Sequence, residues 1–122
     1  MTAQSDWNFL TSVAENYERN LVPIIFAPWA SELVETATLR QGDRVLDVAC
    51  GTGIVARTAA RKLGNTVVGL DASAPMITVA RATATAEGIA IEWREANAVE
   101  LPFPEAAFDV VLCQSGLQFF PD

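Results

Sequence analysis

The sequence predicts a single α/β domain built on a parallel sheet, and three observations lead to this fold class. The chain has 122 residues, which is enough for one compact core and too few for two. Hydrophobic residues make up 51% of the sequence, as a sheet buried on both faces would require. Short apolar runs alternate with longer segments of helical period, which is typical of βαβ units. We therefore expect right-handed crossovers between parallel strands.

Two helices are predicted before the first strand. Residues 5 to about 20 carry apolar side chains at roughly helical spacing among polar ones. A second helix is predicted to begin within residues 24–30, where Pro23 or Pro28 suits a first helical turn. It is predicted to continue through Leu39, before a turn leads into the sheet.

The rest of the chain is predicted to alternate strands with helices. The predicted strands are short, rich in Val, Ile and Leu, and bounded by turn residues; they cover residues 44–49, 66–71, 89–95 and 108–113. Helices are predicted between the first three strands, over residues 54–63 and 75–87. The segment before the last strand is rich in Pro and Glu and is predicted to be a loop.

Charge and composition disfavour several classes of partner. The formal net charge of −7 disfavours binding to nucleic acid or to anionic membranes. The chain has no histidine, and its two cysteines, Cys50 and Cys113, are far apart, so we expect no metal site. Isolated thiols and the absence of a signal-like N-terminus predict a cytoplasmic protein. The arginines after the first strand are expected on solvated helix faces; these are Arg57, Arg61 and Arg81.

The stretch VLDVACGTG at residues 45–53 follows an acid, Asp47, with a run of small residues. From Gly51 the sequence GTGIVA fits the spacing G-x-G-x-x-A, in which a bare backbone lets a ligand approach a helix N-terminus. Asp71 lies 20 residues further on, at the end of the second predicted strand, where an acid can hold both hydroxyls of a ribose. The alternative is a tight turn with an Asp that only caps a helix. Asp47 favours a cationic ligand over a pyrophosphate, and we expect it to bond to loop amides or to the ligand.

These motifs resemble those of a known family. LDVACGTG at residues 46–53 resembles the first motif of the Rossmann-like class I S-adenosylmethionine-dependent methyltransferases. VVGLDAS at 67–73, with Met76, is similar to the second motif, and residues 94–122 contain the LPFP…FDVV phrase typical of small-molecule members. The resemblance covers roughly residues 13–122. It implies S-adenosylmethionine as the cofactor, S-adenosylhomocysteine as its product and a small molecule as the methyl acceptor.

The resemblance implies roles for the residues around the first two strands. Gly51, Gly53 and the carbonyl of Ala49 would line the methionine moiety of the cofactor. Asp47 would orient that loop and, through water, the α-amino group. Asp71 would bind the ribose hydroxyls. Ala49 stands where the family usually has its first glycine, and we expect its methyl group to be tolerated if its φ is negative.

Further roles follow for residues later in the chain. Ala72 and Met76 would pack against the adenine, and Asn97 and Ala98 would meet the adenine edge. Asn97 replaces the more usual Asp; its amide still offers an acceptor and adds a donor. Gln114 would sit below the methionine end. The resemblance assigns no catalytic residue, because methyl transfer needs no protein base when the acceptor is already nucleophilic.

The family fold has seven strands, and this chain supplies four of them in the order 3-2-1-4, with helices on both faces. The resemblance therefore implies a single partial domain over residues 1–122, truncated relative to the family. It comprises an N-terminal helical cap (1–41) and a Rossmann-like core (42–122). Tyr17 on the cap is expected either to close over the cofactor or to be a packed core residue. The fourth strand would form an open edge, so we expect a homodimer or exchanged assembly through it or through the C-terminal segment.

Three functions stay open at this stage. The first is a methyltransferase, or the cofactor-binding part of one. The second is an NAD(P)-binding oxidoreductase fragment, because GTGIVA followed by Asp71 also fits that fingerprint. The third is a noncatalytic nucleotide-binding or assembly module. Gln114, Ser115 and Gln118 are expected near the methyl position, although a helix N-terminal cap or a polar surface position is the better explanation for each of them. The sequence does not indicate the methyl acceptor or the atom that is methylated.

Overall fold

The N-terminal part of the chain is one long helical stretch. The structure, a computed structural model, describes residues 2–64, 67–97, 99, 102–103 and 107–114. Helix α1 (Ala3–Asn16) leads into a π-helical segment (Tyr17–Phe26), which leads into helix α2 (Ala27–Ala37). The predicted gap between two separate helices is therefore wrong. No helix in the described part is long and apolar enough to cross a membrane.

Proline explains why the helical stretch changes its winding instead of ending. Pro23 lies inside the π-helical segment, where it has no N–H to donate and its ring would clash with a carbonyl one α-helical turn earlier. A wider turn accommodates both effects. Pro28 lies in the first turn of α2, as one of the two predicted alternatives proposed.

The remaining elements follow the predicted order. They are β1 (Val45–Val48), α3 (Ile54–Leu63), β2 (Val67–Asp71), α4 (Ala74–Ala86), β3 (Glu92–Glu95) and β4 (Val110–Leu112). The helix boundaries agree with the prediction within one residue. The strands are shorter than predicted, because local apolar composition does not show where ladder pairing stops.

The described strands form a four-stranded parallel sheet in the order β3-β2-β1-β4. Val45 of β1 is in register with Val67 of β2 and with Val110 of β4. The predicted α/β class, parallel pairing and strand order are therefore confirmed. In this order β1 is interior, and the carboxyl ends of β1 and β2 lie side by side.

Alternating residues of the strands face two apolar clusters. Val45 and Val67 pack with residues of α2, α3 and α4 in the larger cluster. Leu46 and Leu70 face the other side, where the partly buried Phe103 packs against them. Position 47 consequently points toward α3, and this places the carboxylate of Asp47 inside the protein.

Candidate functional site

The side chain of Asp47, on β1, is buried beneath α3. It is 1% exposed, and its Oδ2 accepts a hydrogen bond from the backbone N–H of Ala56 at 3.0 Å. This donor lies in the first turn of α3 and not in the glycine-containing loop that we expected. Burial raises the pKa of Asp47 to about 8, against the opposing effect of the Ala56 bond and with a further increase from the charge of Asp71. The group therefore carries a proton over much of the neutral range.

The turn after β1 contains three residues in left-handed conformation. Ala49 has a φ of 54°, Gly51 of 58° and Gly53 of 90°. We expected the methyl group of Ala49 to be tolerated if its φ were negative, but the observed φ is positive. An alanine in this region costs about 1–2 kcal/mol relative to a right-handed conformation. Cys50 fixes the turn to the neighbouring strand, since its N–H donates to the carbonyl of Leu70 at 2.9 Å.

Asp71, at the end of β2, is bonded directly to this turn. Its Oδ2 accepts from the N–H of Gly51, and its Oδ1 accepts from the N–H of Ser73, each at 2.8 Å. The side chain is partly exposed. A carboxylate has about four lone-pair positions, so both oxygens can accept further bonds from a ligand. The structure thus brings together the glycine turn and the acid that the sequence singled out 20 residues apart.

Gly53 faces the protein interior on the side where a side chain would begin. A Cβ added there would lie 2.5 Å from Cη2 of Trp93 on β3. Gly69 on β2 contacts the same indole in the same way. Packing alone therefore requires glycine at position 53, and its role toward a cofactor stays a prediction.

Tyr17 lies against the glycine turn from the N-terminal helices. Its Cε1 would be 3.8 Å and its hydroxyl oxygen 3.9 Å from a Cβ added at Gly51. The ring packs against Phe26, with centroids 5.3 Å apart. Burial, assisted by the charges of Glu18, Asp71 and Asp47, raises the pKa of Tyr17. The phenol therefore stays uncharged and covers the turn from above.

Tyr17 also contributes to an open cleft of about 370 Å³. Met76, from the first turn of α4, also lines the cleft. The other lining residues come from α1 and the π-helical segment, and they are Val13, Asn16, Asn20 and Leu21. The cleft is thus mainly apolar with two amide side chains, and it lies beside the turn.

The remaining predicted residues are less closely connected to the turn. Ala72 and Asn97 are exposed, and the Asn97 side-chain oxygen accepts from the N–H of Val99 at 3.1 Å. Gln114 is partly buried after β4. Ala98, Ser115 and Gln118 lie outside the described residues, as does the C-terminal segment proposed for assembly. The described residues contain no cluster of His, Cys, Asp and Glu that could hold a metal ion.

Arg57 was predicted on a solvated helix face, and that prediction is wrong. Arg57 is 3% exposed, and its guanidinium lies between Glu18 and Glu87, with N···O distances of 2.5 Å to each. The apolar residues near Arg57 in α3, among them Val55, Ala56 and Ala59, are the one sequence signal for a buried position. The partners could not be found from the sequence, since they lie 39 and 30 residues away.

The fold and the site together define a Rossmann-like α/β class, with a glycine turn bonded to an acid on the neighbouring strand. Residues 45–122 match the methyltransferase domain family, and the chain belongs to this family. Its helical N-terminal stretch lies outside the matched range.

Individual relatives agree with this assignment. An uncharacterized protein of Mycobacterium tuberculosis is 44% identical over 80% of this chain and 35% of its own length. Demethylmenaquinone methyltransferase of Thermus thermophilus is 40% identical over 77% of this chain and 43% of its own length. The chain thus spans about two fifths or less of these relatives.

A solved structure extends the comparison to the bound cofactor product. The RNA methyltransferase from Salinibacter ruber, in complex with S-adenosyl-L-homocysteine, is 27% identical. It superimposes with a TM-score of 0.64 over 70% of this chain and 56% of that chain.

Proposed function

We propose that this chain is the cofactor-binding part of an S-adenosylmethionine-dependent methyltransferase that acts on a small molecule. The bond from the Gly51 N–H to Asp71 carries the proposal, because it places a bare turn and an acid on adjacent parallel strands. In open α/β sheets, ligands bind at the carboxyl ends of the strands. The family match supports the reaction type, and the Thermus relative supports a small acceptor.

The residues at the turn fit an adenosyl cofactor better than a dinucleotide. The Gly51 N–H, which could otherwise bind a phosphate, is already bonded to Asp71. The charge of Asp71 would repel a pyrophosphate, whereas it can accept hydrogen bonds from ribose hydroxyls. Above Gly51, the nearest side chain is the phenol of Tyr17, at 3.8 Å from an added Cβ. A flat or apolar part of a ligand would meet that ring.

The chain's own residues would mainly bind and orient. When bound, S-adenosylmethionine supplies an activated methyl group, so the protein provides position and a dry environment. We retain as cofactor-binding residues Tyr17, Asp47, Ala49, Gly51, Gly53, Asp71, Ala72, Met76, Asn97, Ala98 and Gln114. Protonated Asp47 would act through the fold of the turn and not as a counter-charge. No residue is assigned as a catalytic base.

Two further parts of the proposal concern organisation and location. We propose that residues 1–41 act as a cap over the core formed by residues 42–122. We also propose a cytoplasmic protein that forms a homodimer through β4, because β4 pairs with β1 alone among the described strands. An open strand edge is a template for another chain.

The decisive experiment is titration calorimetry of the full chain with S-adenosylhomocysteine and, separately, with NAD. We expect S-adenosylhomocysteine to bind and NAD to show no measurable heat. Asp71→Ala should weaken the binding by about 1–3 kcal/mol, or roughly 5- to 150-fold, through lost charge-assisted hydrogen bonds.

Asp43→Ala is the matched control. Asp43 also accepts a hydrogen bond from a backbone N–H, that of Arg40 at 2.8 Å. It precedes β1, however, and so lies at the amino end of the strand, away from the glycine turn at the carboxyl end. Its replacement should leave the affinity unchanged. Tighter binding of NAD, or no binding of S-adenosylhomocysteine by a chain with a native circular dichroism spectrum, would contradict the proposal.

A further inference from the structure

Arg57 lies buried where the π-helical segment, α3 and the end of α4 meet. Its side chain is 4% exposed. Nη2 donates to Glu18 of the π-helical segment, and Nη1 donates to Glu87, which follows the last residue of α4. One buried cation thereby connects the N-terminal helices with two helices of the core.

The two carboxylates differ in their other partners. Glu87 also pairs with Arg61, whose side chain is half exposed. Glu18 pairs with Arg57, and no second cation contacts it among the described residues. A buried guanidinium that loses one of its counter-charges is strongly disfavoured. Arg57 therefore holds Glu18 in position, whereas Glu87 is held by both Arg57 and Arg61.

Apolar burial supplies only part of the attachment of the π-helical segment, through the buried Val22 and the partly buried Tyr17 and Phe26. Val22 is 1% exposed, but Leu21, Ile24 and Ile25 are exposed by 44%, 77% and 43%. Helices in proteins are normally held by a buried apolar face. In this segment the ion pair of Glu18 with Arg57 adds a contact with the core, made by a guanidinium whose side chain is 4% exposed.

Glu18 directly follows Tyr17, the residue that covers the glycine turn. The Tyr17 ring reaches to 3.8 Å from an added Cβ at Gly51. The charge of Glu18 is, after burial, the largest cause of the raised pKa of Tyr17. Because Glu18 and Tyr17 are adjacent in one helical segment, a displacement of Glu18 would move the phenol relative to the turn.

We propose that the Arg57–Glu18 ion pair is a positioning device that holds Tyr17 over the glycine turn and slows release of the ligand bound there. Arg57 and Glu18 are positioning residues, because they act through Tyr17. The identity of the ligand rests on the proposed function, whereas the attachment of the π-helical segment is a property of the chain by itself.

Two measurements on the full chain with Glu18→Gln test the proposal. Without ligand, amide hydrogen exchange in residues 17–26 should be faster by about tenfold, the effect of losing one charge-assisted hydrogen bond. With S-adenosylhomocysteine, stopped-flow dissociation should be faster by a similar factor. Glu87→Gln is the control, since it removes a carboxylate from the same guanidinium but is remote in sequence from Tyr17. It should accelerate exchange in residues 17–26 and ligand dissociation much less than Glu18→Gln does, because Glu87 makes no contact with the π-helical segment in the described hydrogen bonds and ion pairs.

A double-mutant cycle separates positioning from general stability. In a Tyr17→Ala background, Glu18→Gln should have no further effect on ligand dissociation. Additive effects, or equal acceleration by Glu18→Gln and Glu87→Gln, would overturn the proposal. Unchanged exchange in residues 17–26 would also overturn it, whatever the ligand. If the wild-type chain binds no S-adenosylhomocysteine, the proposed function fails, and the exchange comparison still decides the role of the ion pair.

Discussion

At the scale of single residues, Asp47 shows how a strand can place an acid in an apolar interior. Its position on β1 directs it toward α3, where the Ala56 N–H at 3.0 Å is its hydrogen-bond donor. One such bond does not compensate for loss of water around a charged carboxylate, so the pKa is raised to about 8. The proton on this group links the stability of the domain to pH.

The sign of that linkage follows from the two pKa values. The unfolded chain has an Asp47 pKa near 3.8, and the folded chain has one of about 8. Between these values the folded state keeps a proton that the unfolded state has lost, so the stability contribution falls as pH rises from about 4 to about 8.

Asp47→Asn should remove this dependence. Relative to wild type, the variant should gain stability as pH rises from 5 to 8, with a slope of at most about 1.4 kcal/mol per pH unit. Urea denaturation of both proteins across this range measures the difference, in which the other titrating groups largely cancel. A difference that does not vary with pH would show that Asp47 is ionised in the folded protein.

The residue scale is also where sequence-based prediction was least complete. The spacing of Gly51 and Asp71 correctly indicated that the turn and the acid meet, since parallel strands place their carboxyl ends together. The burial of Arg57 was missed, because its partners come from elements distant in sequence. The left-handed conformation of Ala49 was not predicted either, because alanine itself disfavours it; the glycine usual at this position in the family was the one signal for it.

At the scale of elements, the turn between β1 and α3 is shaped by a residue of β3. The Trp93 indole occupies the space in which side chains at Gly53 and Gly69 would begin. A large aromatic ring on one strand thus requires glycine both on the neighbouring strand and in the turn. Glycine at position 53 is therefore required by packing, in addition to any role in ligand binding.

This packing predicts a difference between two glycines with the same backbone angle. Gly53 and Gly42 both have a φ of 90°, but only Gly53 has a neighbour within 4 Å of an added Cβ. Gly42→Ala measures the conformational cost alone. Gly53→Ala should cost about 1–3 kcal/mol more, since the methyl group must displace the indole. Guanidinium denaturation of both variants gives the comparison, and equal losses of stability would contradict the steric explanation.

At the scale of the whole molecule, the order of elements and of strands was predictable from the sequence. Short apolar runs separated by helical segments leave few topologies, because crossovers between parallel strands are right-handed and consecutive strands tend to be adjacent. The continuous helical path from α1 through the π-helical segment to α2 was not predicted. Proline usually ends a helix, and no local pattern shows that a wider turn will accommodate Pro23.

The outer edge of β4 carries the last prediction. Val111 is 57% exposed on this strand, and among the described strands β4 pairs with β1 alone. If two chains associate through this edge, Val111→Lys should shift the protein toward the monomer, because a charge on an edge strand opposes further pairing. Sedimentation velocity at micromolar concentration measures the shift. Val99→Lys is the control, since Val99 is also exposed, at 48%, but lies outside the sheet. A monomeric wild-type chain, or a dimer that both substitutions leave intact, would exclude assembly through β4.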